Sequence, residues 1–152
     1  MQIQRGLQTD STLTKYVLGA HPIIEHFIQA LRIREIMGTY MRTDKRMRLD
    51  DDKVLTLLIH NILTTPIALY EMEDWLKPLD AERMGLTPRE CKFIQDDRMG
   101  RALGRFYVSR HKDVFFHLAL RAIKVFGLDC SRIHHDTTTV TFAGRYPGWS
   151  VQ

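Results

Sequence analysis

Asp50-Asp51-Asp52-Lys53-Val54-Leu55-Thr56-Leu57-Leu58-Ile59-His60-Asn61-Ile62 is the stretch on which the fold turns. Val54, Leu55, Leu57, Leu58, Ile59 and Ile62 are apolar nearly all round a helical projection, the pattern of a central helix buried on every side. The three aspartates suit the positive N-terminal end of its dipole. The same carboxylates are conceivable metal ligands, but capping is the simpler use. His60 and Asn61 are polar exceptions near the C-terminal end. A single histidine in such a place is ordinarily a satisfied core or cap residue rather than a ligand.

Working outward toward the N-terminus, Arg42-Thr43-Asp44-Lys45-Arg46-Met47-Arg48 is the densest basic cluster in the chain, on an expected loop. Arg42, Lys45, Arg46 and Arg48 suit phosphate contacts, or simply a solvated loop. Before it, Ile33, Ile36, Met37 and Tyr40 continue an apolar pattern set by Ile23, Ile24, Phe27, Ile28 and Leu31, with a phase change near Arg32. The two segments are read as helices separated by a break, both contributing to the core. Pro22 suits the first turn of the earlier one, where a missing N–H costs nothing. Residues 1–14 are polar and read as a loose arm.

Toward the C-terminus, Leu63-Thr64-Thr65-Pro66 breaks the central helix and Ile67 to Trp75 reads as another. Helix, turn, helix is the outline of a DNA-binding motif. Yet Glu71, Glu73 and Asp74 make the second helix acidic, so a helical hairpin within the core fits better than a recognition helix. Residues 77–89 form a linker in which Thr87 caps a short helix opened by Pro88. Asp96 or Asp97 then caps a helix whose Met99, Leu103, Phe106 and Tyr107 form one stripe. Arg98, Arg101 and Arg105 recur at helical spacing and line one face. That face suits phosphates, or a solvated surface with an Asp–Arg pair. His111 to Phe126 is a last long helix with Val114, Phe115, Leu118, Ile123 and Val125 among its apolar positions, and Gly127 as its C-terminal cap.

The final stretch changes period. Arg132-Ile133-His134-His135-Asp136-Thr137-Thr138-Thr139-Val140-Thr141-Phe142-Ala143-Gly144-Arg145-Tyr146 is rich in β-branched and aromatic residues, the composition of a strand with one buried face. His134 and His135 would point to opposite faces of that strand and could not readily chelate one ion. The chain of 152 residues, 44% hydrophobic and 26% charged, has the makings of one domain with a substantial core. A net charge of +4 and a pI near 9.2 are a mild basic bias compatible with a polyanionic partner. Cys91 and Cys130 offer neither metal spacing nor a disulfide framework and read as reduced cytosolic thiols. No apolar run is long enough for a membrane span, and the N-terminus lacks the apolar core of a signal peptide.

Three segments together resemble a known family. Leu18-Gly19-Ala20-His21-Pro22-Ile23-Ile24, Asp96-Asp97-Arg98-Met99-Gly100-Arg101-Ala102-Leu103 and His134-His135-Asp136-Thr137-Thr138 are similar to the N-terminal part of bacterial and archaeal insertion-sequence transposases. The nearest group is the IS1634-like branch of the IS4 superfamily, whose N-terminal region is termed DUF4277. The resemblance implies a DDE transposase with an RNase H-like catalytic core, its first catalytic carboxylate being Asp136 on the first core strand. There it would be a ligand in a two-metal site built on magnesium, with ions roughly 4 Å apart. Asp96, Asp97 and Asp129 precede that strand and cannot supply the second Asp and the Glu in the family's order. The chain is therefore expected to be a truncated or isolated N-terminal fragment, inactive by itself and needing no cofactor alone.

The expectation is thus a mainly α protein. A flexible arm over 1–14 precedes a DUF4277-like domain of about five to seven helices over 15–130, and residues 131–152 begin a truncated RNase H-like α/β core. Its expected role is to bind element-end DNA and organise the transposition complex, with Arg42, Lys45, Arg46, Arg48, Arg98, Arg101 and Arg105 as phosphate contacts. A homo-oligomer or a complex with the full-length transposase is the further partner expected, without a membrane, in a cytoplasmic, nucleoid-associated setting. The alternatives are a helical dimerisation or interaction module and a transposase remnant without function.

Overall fold

The computed structural model describes residues 15–41 and 46–131. The expected strand over 132–146, with Asp136, lies outside the described residues, as do the 1–14 arm and residues 42–45 of the basic loop. Helix dominates what is described. In order come α1 (His21–Ala30), α2 (Ile33–Tyr40), α3 (Asp51–Thr64), a single 3-10 turn (Leu69–Glu71), α4 (Met72–Leu76), α5 (Pro88–Cys91), α6 (Asp96–Val108) and α7 (His111–Phe126).

α3 is the centre. It packs against α1, α2 and α6, while α7 lies against α2. Val54, Leu55, Leu57 and Leu58 are all buried, as the all-round apolar pattern requires, but Ile62 at the far end is 64% exposed. α1 starts with Pro22 in its first turn, where no N–H is needed. The phase change after Leu31 is a physical break: Arg32 sits in the left-handed region at φ 54°, a conformation that interrupts a helix in L-residues. α2 then packs on both α3 and α7.

Two sequence expectations need correction here. The segment after Pro66 is not one helix over residues 67–75 but a 3-10 turn followed by the five-residue α4. Taken together these turn away from α3 by 102°, a corner rather than a hairpin. Met72 and Leu76 are buried beneath it, so the short helix is a lid on the core. The second correction concerns which helix faces are core. Ile23, Phe27, Leu103, Tyr107, Phe115, Ile123 and Val125 all lie in helices but are exposed. α6 buries Met99 and Ala102 instead, and among the residues of α7 Val114 is buried.

The connections follow local chemistry. Thr87 caps α5 by accepting from the Glu90 amide, and the Glu90 side chain returns a bond from the Thr87 amide. Lys53 of α3 donates to Glu90 Oε1 at 2.7 Å and ties that cap to the central helix. Gly127 ends α7 at φ 60°, the left-handed cap for which glycine has no Cβ penalty. Upstream of α1, Val17 N donates to the Pro78 carbonyl at 2.8 Å, within an isolated parallel bridge to Leu79.

Candidate phosphate-binding cleft

The basic residues that the sequence scatters over about 60 positions meet beside the N-terminal end of α3. Arg98, Arg101 and Arg105 come from one face of α6, because α6 runs unbroken through all three. Arg48 arrives from the loop before α3. With Met47, Leu49 and Phe93 they line a cleft of about 190 Å³. The Arg48 guanidinium lies over the Phe93 ring at 5.3 Å from its centroid, a cation–π contact that gives the cleft an aromatic wall.

Asp51 lies beneath these arginines and is 4% exposed. Its carboxylate takes two bonds from Arg105, from Nε and Nη2, both at 2.6 Å, and pairs with Arg98 Nη2 at 2.7 Å. Burial pushes the Asp51 carboxyl up, but the bonds from Arg105 and Arg98 and their charges outweigh it and hold it below the ordinary carboxylate value. Arg98 Nη2 also donates to the Leu49 carbonyl, so the guanidinium fastens the loop before α3 to α6. Arg98 Nη1 is buried with no hydrogen-bond acceptor among the described residues. Arg101 makes an exposed pair with Asp97 at 3.1 Å, one turn before it. Such a pair is weak and easily exchanged.

Of the residues expected to touch phosphate, then, Arg48, Arg98, Arg101 and Arg105 come together, and Arg46 is exposed on the loop that carries Arg48. Arg42 and Lys45 lie outside the described residues. Asp51 is the cleft residue that sequence reasoning missed. It was read as one of three capping aspartates, yet Asp50 occupies the cap position without a side-chain bond and Asp51 serves as a counterion. Its signal was a carboxylate directly ahead of an all-apolar helix, with Asp52 and Lys53 on other sides.

A second polar cluster is closed. His21 Nδ1 and His60 Nδ1 lie 3.2 Å apart, and His60 Nε2 is 3.3 Å from Glu25 Oε2. Glu25 is clamped by both Nη atoms of Arg34, at 2.6 and 2.9 Å, and Arg34 Nη2 also donates to the Met84 carbonyl. An ionised carboxylate only accepts, so His60 Nε2 carries a proton, its Nδ1 accepts, and His21 Nδ1 donates. Burial lowers the pKa of both His21 and His60, which keeps them neutral. Burial alone would raise the Glu25 carboxyl, but Arg34 and Gln29 bring it below the ordinary value. This network binds α1, α2 and α3 to the 81–86 loop as a buried core cluster, in which Arg34 Nε is the one donor found without an acceptor among the described residues. Among the described residues no three His, Cys, Asp or Glu side chains are grouped to hold a metal ion.

Comparison with known proteins agrees with the helical extent of the structure. Residues 14–120 match a family described as a domain of unknown function, DUF4277. The chain belongs to the DUF4277 family. The matched span begins just before α1 and ends within α7, so the cleft and the histidine network are both features of the DUF4277 region. No curated protein and no solved structure matches the chain.

Proposed function

We propose that this chain is the N-terminal region of an insertion-sequence DDE transposase of the IS1634 type, and that its DUF4277 domain binds element-end DNA. The observation that carries the reading is the convergence of Arg48, Arg98, Arg101 and Arg105 on one cleft. Cationic groups held on rigid elements neutralise backbone phosphates and fix the register of a protein on DNA without reading bases. The acidic, five-residue α4 is no recognition helix, so sequence-independent contact fits better than groove readout. The resemblance of the Asp96–Leu103 and His134–Thr138 segments supplies the transposase assignment, with Asp136 as the first catalytic carboxylate and a magnesium ligand. In the cell this reading puts the protein on the nucleoid. The test is fluorescence anisotropy with labelled duplexes carrying element ends and unrelated sequences. Binding to both, weakened by Arg101→Ala, is expected; no binding at low salt would overturn the reading.

A second reading, as a self-association module, draws on one feature. Phe115, Phe116, Leu120 and Phe126 of α7 are 44–62% exposed, and Phe27 of α1, 45% exposed, packs beside Phe126 at 5.9 Å. So much apolar surface is unusual on a monomer. Light scattering after size exclusion distinguishes the two: a dimer broken by Phe116→Ser with DNA affinity unchanged would favour it.

A further inference from the structure

We infer that the cleft between Arg48, Phe93 and α6 is a preorganised pocket for a single tetrahedral phosphate group, with Asp51 as the residue that positions its arginines. Charge, donor geometry, size and an unmet hydrogen bond all lead there. Four guanidinium groups line the cleft; Asp51 pairs with Arg98 and Arg105, and Asp97 with Arg101. Asp51 is seated under the arginines rather than in front of them: it is buried, takes the Nε and Nη2 edge of Arg105, and holds Arg98 by Nη2. A buried carboxylate used this way fixes the planes of two guanidinium groups before any ligand arrives, the usual means of cutting the ordering cost of binding.

Arg98 supplies the second observation. Its side chain is 11% exposed, and Nη1 is buried without an acceptor among the described residues. A buried donor left unpaired is uncommon and costs free energy, so an acceptor brought to it would be favoured. A carboxylate has two oxygens in one plane, and those of Asp51 are already taken up by Arg105 and Arg98. Donors that converge from three positions on α6 and one on a separate loop suit an acceptor with oxygens in four directions, which is a phosphate. The volume agrees. A cleft of about 190 Å³ is smaller than the roughly 300–1,000 Å³ that holds a drug-sized ligand, so it takes one group rather than a whole nucleotide. Phe93 and Met47 form an apolar wall against which the carbon skeleton attached to that phosphate would pack. Assigning the phosphate to a DNA strand rests on the reading above; the pocket itself does not.

The experiment is a titration of the 152-residue chain with inorganic phosphate at constant ionic strength, followed by the backbone amide resonances of Phe93, Arg98 and Arg101. Saturable shifts with a Kd of order 1 mM are expected, reproduced by sulfate and not by acetate. Arg48→Gln and Arg101→Gln, both surface side chains, should each weaken phosphate about five- to tenfold, the loss of one charge-assisted contact, with unchanged melting temperature. Absence of saturable shifts, or both variants binding phosphate as the parent does, would overturn the pocket. Two further arms separate the sources. Displacement of an unphosphorylated duplex by inorganic phosphate, together with weaker duplex binding in both variants, makes the backbone diester the ligand. If phosphate saturates the cleft while duplex binding is absent or unaffected, the pocket stands, takes a free or terminal phosphate, and the DNA reading loses the site that carries it.

Discussion

Asp51 shows how much a single residue can organise. Its carboxylate is held ionised by Arg105 and Arg98 despite burial, and replacing it by asparagine leaves two arginines facing each other in a poorly hydrated place. Breaking a buried pair from one side typically costs about 3–5 kcal/mol. Urea unfolding of Asp51→Asn should show a loss of that size; a loss below about 1 kcal/mol would mean that the cleft is wetter and its arginines looser than the geometry implies. Two glycines provide a second test at this scale. Gly127 has φ 60° and open space around a would-be Cβ, whereas Gly85 has φ 80° and meets Arg34 Nη2 at 3.1 Å. Gly127→Ala therefore pays backbone strain alone, about 1 kcal/mol. Gly85→Ala adds crowding of the guanidinium that clamps Glu25 and should cost clearly more. Equal losses in thermal melts would show that Arg34 moves aside freely.

Among the elements, helix boundaries were legible where a local signal marks them, though not over residues 67–75, and helix faces were not. α7 runs over the residues expected for it, because its end is written locally in Gly127, and the Arg32 break and the Thr87–Pro88 start are equally local signals. The buried side of α7 was not readable, since Phe115, Phe116, Leu118, Leu120, Ile123, Val125 and Phe126 surround the helix and only packing decides which are covered. The cleft was legible by half for the same reason. The i, i+3, i+7 spacing aligns Arg98, Arg101 and Arg105 on one face, but their partner Asp51 and neighbour Arg48 lie some 50 residues away, where no local pattern connects them. The α1–α3 junction, also invisible in sequence, carries a pH prediction. His21 and His60 have folded-state pKa values below the usual 6.5, so as pH falls the unfolded chain takes up protons first. Their contribution is complete above about pH 6.5 and declines as pH drops toward the folded values. The depressed carboxyls of Glu25 and Asp51 act in the same direction but only below their usual 4.5 and 3.8. Stability should fall as pH drops below about 6.5, by at most about 1.36 kcal/mol per unit for each site. In His21→Gln the slope should be shallower; an unchanged slope would place the titration on other groups.

For the molecule as a whole the relevant quantity is how charge is distributed rather than its sum. A net +4 on 152 residues is modest, and across a uniform surface it would bind polyanions weakly. Here α6, the loop before α3 and Phe93 gather four arginines in one cleft. A phosphate chain therefore has a favourable face to follow, and binding there should release counterions in proportion to the phosphates neutralised. If the cleft and the neighbouring loop together neutralise about four to five phosphates, the slope of log Kobs against log salt should be near −4. Affinity would then drop roughly 250-fold between about 50 and 200 mM salt. Arg101→Ala should reduce that slope by about one and weaken specific and unrelated duplexes by the same factor, because a phosphate contact carries no base information. A variant that weakened one sequence and spared the others would place Arg101 against a base edge. Binding indifferent to salt would remove the phosphate surface from the account altogether.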